Sequence, residues 1–409
     1  MNMDEYSAKR RWQTALREAT WVFGLSRLML VLITLVSIFI IPKYVDIYRH
    51  TLTLDSYFRR TSYSLSTLFH SWLRWDAKPY LNISYLGYKH TPDVAFFPLY
   101  PLAQHFVGLL LGGYFRGSFY LAGILLANIF FYFALVLLYR LLAEDFDRAT
   151  ARRSLIYLTF APYALFFFAG YSESLFVLLC IAVFLLLRRG KPLDWWLAGF
   201  CGFLAALTRS AGMFLAIPFL VAYVQRFWTA SEHKQHTWRE RLNALVPIAL
   251  LPAGALAYML YLYYTKGDPF IFKIEEEAIW SRYFTLLWQT FAMVIEANVC
   301  QPSFTYLLGN LYTTTFTIIP LVALALGWKH LPLHYSLFAL ALVIFNLSFP
   351  GYTTQPLFSQ PRFLLVIFPI TVIFAIWGKR PRFNQTFLAL SLAFFVINTI
   401  LFVGNFWVA

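Results

Sequence analysis

Residues Thr20–Ile41, TWVFGLSRLMLVLITLVSIFII, hold one cation, Arg27, in an otherwise apolar run. A helix over such a run rises about 30 Å, the depth of a bilayer's hydrocarbon core. The run is longer than the apolar core of a secretory signal and lacks a small-x-small cleavage site, so it reads as a retained first span. Working outward, runs of spanning length or near it recur at about 118–141, 154–170, 172–187, 194–208, 211–227, 244–264, 304–327, 333–349, 363–378 and 385–405. With the first they predict roughly eleven spans; the shorter ones must tilt or thin the bilayer locally. Composition agrees, with 60% hydrophobic and 13% charged residues. A soluble domain has about 45–50% apolar and about 25% charged residues. Such a chain cannot cover a globular surface with polar groups, so soluble, disordered and collagen-like classes are excluded. The expected fold class is an all-α polytopic membrane protein forming one domain over 1–409.

Charge gives the orientation. The formal net charge is +14, from 33 Lys and Arg against 19 Asp and Glu. If the spans alternate, one set of segments carries Lys9, Arg10, Arg11 and Arg17, then Arg140, Arg148, Arg152 and Arg153, then Arg188, Arg189 and Lys191. The same set continues with Arg226, Lys234, Arg239 and Arg241, then Lys329, then Lys379, Arg380 and Arg382. These hold more than half of the cations in the shorter loops, as the positive-inside rule requires of the cytoplasmic side. The N-terminus is therefore expected in the cytoplasm. The basic balance points to the bilayer and not to nucleic acid. Cys180 and Cys201 sit in apolar runs, Cys300 has no evident partner, and no disulfide framework is expected.

The second set, on the outer side, has two long loops, 42–117 and 265–302. No soluble domain is present, so a site must be built from spans and loops. Within the first loop, 98–112 begins Pro-Leu-Tyr-Pro and is too short to span; it reads as an interfacial helix with Pro98 in its first turn. Ionisable groups close to the membrane are functional candidates. On the outer side they are Asp46, Asp55, Asp76, Asp93, Glu173, Arg209, Lys266, Asp268, Glu275, Glu276, Glu277, Arg282, Glu296 and Arg362. The densest motif is Ser71–Tyr88, SWLRWDAKPYLNISYLGY, followed by AFFPLYP. A carboxylate held among aromatics is short of water and accepts a proton more readily than a free one. Asp76 could equally be a helix N-cap with Pro79 in the first turn, and Trp72, Trp75 and Tyr80 interfacial anchors.

At WDAKPYLNISYLGY and AFFPLYP the chain resembles the PIG-V family of mannosyltransferases. The likeness continues in GYSESLF (Gly170–Phe176), LTRSAG (Leu207–Gly212) and SQPRFLLVIFP (Ser359–Pro369). The resemblance implies a GT-C glycosyltransferase fold, with interfacial helices and a catalytic aspartate, Asp76, in the first outer loop. It also implies a polyprenyl- or dolichyl-phosphate-mannose donor and a glycolipid acceptor, in the biosynthesis of a GPI-anchor-like lipid. The membrane would be the bacterial plasma membrane or, in a eukaryote, the endoplasmic reticulum.

The leaving group sets the chemistry. A sugar on a lipid phosphate departs as an anion that needs little protonation, so one base suffices where a glycosidase needs two carboxylates. Asp76 would take the acceptor hydroxyl's proton, with inversion at the anomeric carbon. Arg209 and Arg362, at outer span ends in matching blocks, are the expected phosphate ligands; the bland alternative is a snorkelling arginine. Lys266 is a weaker phosphate candidate, with Lys78 and Arg74. Glu173 is expected to pair with Arg209 or to orient the acceptor. Asp93 is either a second carboxylate, as a metal ligand or an acceptor contact, or a turn residue bonded locally. Trp75 and Tyr80 either stack on the sugar or pack in the core. Glu144–Asp147, EDFD, is expected to be a solvated loop. His70, His90 and His105 lack metal-ligand spacing, so neither a metal nor another cofactor is expected. A lipid-linked-sugar flippase and a non-catalytic membrane subunit are the competing readings.

Overall fold

The computed structural model describes residues 3–45, 65–113, 116–229, 237–300 and 304–408. Its helices in chain order are α1 (Met3–Val45), α2 (Leu65–His70), α3 (Ala77–Leu86), α4 (Leu99–Leu110), α5 (Arg116–Asp145) and α6 (Arg148–Thr159). Next come α7 (Glu173–Arg189), α8 (Pro192–Thr208), α9 (Ala216–Val224), α10 (Trp238–Lys266), α11 (Ile271–Trp280) and α12 (Leu287–Val299). The last are α13 (Phe304–Gly327), α14 (Leu333–Leu347), α15 (Gln360–Leu365), α16 (Phe368–Trp377) and α17 (Pro381–Val403). Among the described residues the chain is helical without strands, as its composition requires. Among the described residues six segments are long and apolar enough to cross a membrane, and Leu333–Leu347 and Phe368–Trp377 are shorter apolar helices.

Two apolar runs are not the single spans that hydropathy suggests. Residues 154–170 split into the end of α6 and the 3₁₀ turn Ala164–Phe167, with Pro162 between them. Residues 363–378 split between α15 and α16 just before Pro369. Proline lacks the N–H that would continue a helix and pushes the residue before it out of the helical region. The first break sets its 3₁₀ turn beside the start of α7, where Ser174 Oγ donates to Phe167 O at 3.3 Å, and the second sets Phe368 against Phe184 of the same helix.

That helix is the pivot. Its side chains are buried nearly all round, as expected of a helix apolar on every face. Glu173 stands at its first residue and Arg188 near its last. At the Arg188 end, Arg188 pairs with Glu144 and Asp145, Arg140 pairs with Glu144, and Lys379 lies 3.5 Å from Asp147. The Tyr335 hydroxyl donates to Asp145 at 2.5 Å. The side chain of Asp147 caps α6 by accepting from Thr150 N at 2.8 Å. The EDFD segment is thus not a solvated loop: its acids are drawn into pairs because helix ends deliver cations beside them. Trp12 of α1 meets Arg140 and Arg189 at this end too. The basic segments therefore gather at one end of the bundle, and Glu173 lies at the other.

Backbones approach closely where α8 meets α10 and the turn after α8. A Cβ on Gly254 would lie 2.4 Å from Phe203 O, and one on Gly212 would lie 2.3 Å from the Ala205 carbonyl carbon. This packing fixes the 3₁₀ segment Ser210–Leu215, which starts directly after Arg209.

Candidate active site

A cavity of about 350 Å³ opens at the Glu173 end. Five parts of the chain carry its charges: the start of α3, the start of α7, the end of α8, α15, and α11 with the segment after it, which closes the side. Asp76 immediately precedes α3, yet its side chain makes no cap bond. It turns instead to Arg362, whose Nη1 lies 2.7 Å from Asp76 Oδ2. The N–H bonds point past the carboxylate, so this is an ion pair, and the buried Nη1 and Nε keep no aligned hydrogen-bond acceptor.

Glu173 binds two arginines through one oxygen. Its Oε1 accepts from Arg209 Nη1 at 2.8 Å and lies 3.4 Å from Arg362 Nε. Its side chain is 2% exposed, and Oε2 is buried without a partner. The resulting chain, Asp76–Arg362–Glu173–Arg209, joins four of the sequence blocks read above.

Arg282 completes the cationic wall. Its Cζ stands 4.6 Å from the Phe363 ring centroid, and those of Arg209 and Arg362 each stand 5.1 Å from the same ring. With Lys273 on the same wall, the three guanidiniums around this phenyl ring set four cations against the carboxylates of Asp76, Glu173 and Glu276. Burial pulls the Arg282 guanidinium down to about 10, still charged at neutral pH. Its Nη2 donates to Phe358 O at 3.3 Å, while Nε is buried and unpartnered. Glu276 of α11 also faces the cavity, half-buried; burial raises its carboxyl above the ordinary range, opposed by Arg282 and Arg209. Lys273, one turn earlier, lines the same wall.

The aromatic candidates divide. Tyr80 lines the cavity, and its hydroxyl donates to Ser172 Oγ at 2.8 Å. Its ring meets Phe96 and Tyr100 edge to face. Trp75 stands behind Asp76, in a left-handed conformation with φ 47°. Ser281 and Ser359, just before Arg282 and Arg362, also have left-handed φ, 54° and 65°. Each such non-glycine residue costs of order 1–3 kcal/mol and persists where surroundings over-determine it, typically at functional sites.

Two candidates lie off the cavity wall. Asp93, 6% exposed, has an unpartnered Oδ2, and burial raises its carboxyl above the usual value, with His90 and Lys266 opposing. It supports the adjoining wall residues Ala95–Phe97 from behind. Lys266 ends α10 beside Asp93; Gly267, at φ 81°, turns the chain there, and Lys266 does not reach the cavity. Asp46 and Asp55 lie outside the described residues. Sequence reading gave Arg282, Glu276 and Lys273 no specific role; the signal available was α11's four-residue spacing, which sets Phe272, Glu276 and Trp280 on one face.

Comparison with known proteins follows this geometry. A family model described as "Mannosyltransferase (PIG-V)" matches residues 18–283. GPI alpha-1,6-mannosyltransferase 2 of Mus musculus is 30% identical over 202 residues, covering 46% of this chain and 40% of that protein. GPI mannosyltransferase 2 of Schizosaccharomyces pombe is 28% identical over 242 residues, covering 54% of this chain and 50% of that protein. The matches thus span half or less of these relatives' length. Among solved structures, apo ArnT from Cupriavidus metallidurans is similar with TM-score 0.48 and 16% identity, over 83% of this chain and 74% of that one. The apo oligosaccharyltransferase of Archaeoglobus fulgidus is similar with TM-score 0.42 and 11% identity, over 83% and 52%.

Proposed function

The chain belongs to the PIG-V mannosyltransferase family, and on that premise we propose that it transfers mannose, with inversion, from a polyprenyl-phosphate mannose to a glycolipid acceptor. One observation carries the reading: an aspartate and three arginines, Asp76 with Arg209, Arg282 and Arg362, share one cavity among aromatic walls. An attacking hydroxyl needs a proton acceptor, and a departing lipid phosphate needs fixed positive charge.

In this mechanism the donor phosphate docks against the arginines and draws Arg362 from Asp76. The freed carboxylate takes the proton from the acceptor hydroxyl as its oxygen attacks the anomeric carbon. The bond from that carbon to the phosphate oxygen breaks on the opposite face, and the electron pair leaves with the lipid phosphate. A β-linked donor therefore gives an α-mannoside. Glu173 stays ionised and holds Arg209 and Arg362 in place. The basic segments gathered at the far end of the bundle support a cytoplasmic N-terminus and a site on the outer or lumenal face.

The test is reconstitution of the purified protein in vesicles with radiolabelled polyprenyl-phosphate mannose and a panel of glycolipids. Labelled α-mannosyl glycolipid is expected. Movement of the labelled donor between leaflets without product would support a flippase instead.

A further inference from the structure

We propose that the segment after α17 forms part of the transfer site, with the indole N–H of Trp407 donating to an oxygen of the donor's glycosyl phosphate. This rests on the transferase reading above and extends it to a residue beyond the part of the chain that the family model matches, 18–283. Trp407 lines the same cavity as Asp76 and Arg362. Its ring lies parallel on Phe358, with centroids 4.3 Å apart and planes 4° apart, and edge to face with Trp75 at 4.5 Å. It is thereby clamped between the segment that leads to Arg362 and the residue that precedes Asp76. Its Nε1 is buried and has no hydrogen-bond partner.

Indole nitrogen is a donor only, and native interiors rarely leave a buried donor unpaired. Arg362, ion-paired to Asp76 and Glu173, borders the same space. An indole N–H without an acceptor beside guanidiniums fits a ligand rich in acceptor oxygens, and a glycosyl phosphate is such a ligand. The backbone adds an independent argument. Among the described residues, four non-glycine residues have left-handed φ: Trp75, Ser281, Ser359 and Asn405. The first three stand one to three positions before Asp76, Arg282 and Arg362. Asn405, at φ 66°, stands two before Trp407. The same device that aims the charged residues aims this indole.

The experiment compares Trp407→Phe and Trp407→His with the parent in the reconstituted assay and in donor binding followed by thermal shift. Phenylalanine keeps the stacking ring and removes the N–H; histidine restores an N–H on a smaller ring. For Trp407→Phe the expected result is a donor KM raised about tenfold, the loss of one hydrogen bond, with acceptor KM and melting temperature unchanged. Trp407→His should recover part of the donor affinity. Donor KM within twofold of the parent for Trp407→Phe, or a rise confined to the acceptor KM, would overturn the proposal while leaving the transferase reading intact. A parent that binds donor yet never transfers mannose would overturn the transferase reading instead.

Discussion

Arg362 Nη1 lies 2.7 Å from Asp76 Oδ2, so the residue assigned to the leaving phosphate holds the residue assigned to the attacking hydroxyl. A carboxylate held by a guanidinium is not free to meet an acceptor hydroxyl, and a phosphate competing for that guanidinium releases it. In the proposed mechanism the pair therefore couples the two halves of the reaction. For Asp76→Asn we expect turnover to fall by about 10³-fold or more. Donor binding should hold or tighten severalfold, because Arg362 loses its competitor. Turnover assays with a titration of donor against the melting temperature check both; normal turnover would remove Asp76 from the mechanism, and weakened donor binding would remove the exchange.

Glu173 anchors Arg209 and Arg362 through a single buried oxygen. Removing its charge leaves two guanidiniums facing each other in a dry site. Glu173→Gln should cost about 3–5 kcal/mol of stability, the usual penalty for breaking a buried pair from one side. Glu173→Gln with Arg209→Gln should cost less than the sum of the single changes, by about 1–3 kcal/mol. Melting in detergent across the four proteins measures the coupling; additive losses would show that the contact contributes little.

The two outer-loop cations that sequence reading and structure treat differently give a direct contrast. Arg282 stands 4.6 Å from the Phe363 ring inside the cavity, whereas Lys266 ends α10 away from it. Arg282→Ala should weaken donor use by about 2–4 kcal/mol, near 30- to 1000-fold in kcat/KM. Lys266→Ala should change it less than about twofold. The reverse ranking would move the phosphate to the Lys266 side.

This contrast shows what was legible in the chain. Glu173, Arg209 and Arg362 are single charges in apolar or aromatic surroundings, and Asp76 is the one acid of an aromatic motif; such costly charges draw attention by themselves. Their convergence was not readable, since it depends on how α3, α7, α8 and α15 meet. Arg282 and Glu276 were harder for a different reason. Glu276 sits in a run of three glutamates that looks like a solvated face, and only the phase of α11 selects it. Lys266 stood among the weaker phosphate candidates; Gly267 turns the chain there and leaves it beside Asp93, off the cavity wall. The breaks at Pro162 and before Pro369 were open to reading, because proline position outranks hydropathy in deciding where a helix stops.

Asp93 gives the pH test. Burial raises its folded carboxyl above the unfolded value, so the folded state prefers it protonated. Its stabilising contribution is full below the unfolded value and is lost as pH rises through the raised folded value. Asp93→Asn mimics the protonated form throughout. The variant should match the parent at acid pH and melt higher than the parent at neutral pH, with the gap opening above the usual aspartate range. Melting curves in detergent at a series of pH values follow it. A variant less stable than the parent at neutral pH would show that the ionised form has a partner worth more than its desolvation.

Arg209 owes its position to backbone crowding one turn later. Gly212 N donates to Arg209 O at 2.9 Å, closing the turn that carries the guanidinium toward Glu173. A Cβ at Gly212 would meet Ala205 C at 2.3 Å, Ala206 N at 2.4 Å and Ala205 O at 2.5 Å, all backbone atoms of α8. Backbone cannot swing aside as a side chain can, so Gly212→Ala must push Ser210–Leu215 off α8 and move Arg209 with it. Overpacking of this kind costs about 1–3 kcal/mol. Loss of stability alone would not distinguish the site from the scaffold, so the expected signature is double: a lower melting temperature and a raised donor KM. Gly24→Ala is the control, because a Cβ at Gly24 meets nothing within 4 Å in the middle of α1. It should be neutral or stabilising by up to about 1 kcal/mol, since alanine gives up less backbone freedom than glycine in a helix. If Gly212→Ala lowered the melting temperature and left donor KM at the parent value, the Arg209 guanidinium would not need this turn, and its place beside Glu173 would rest on the ion pair alone.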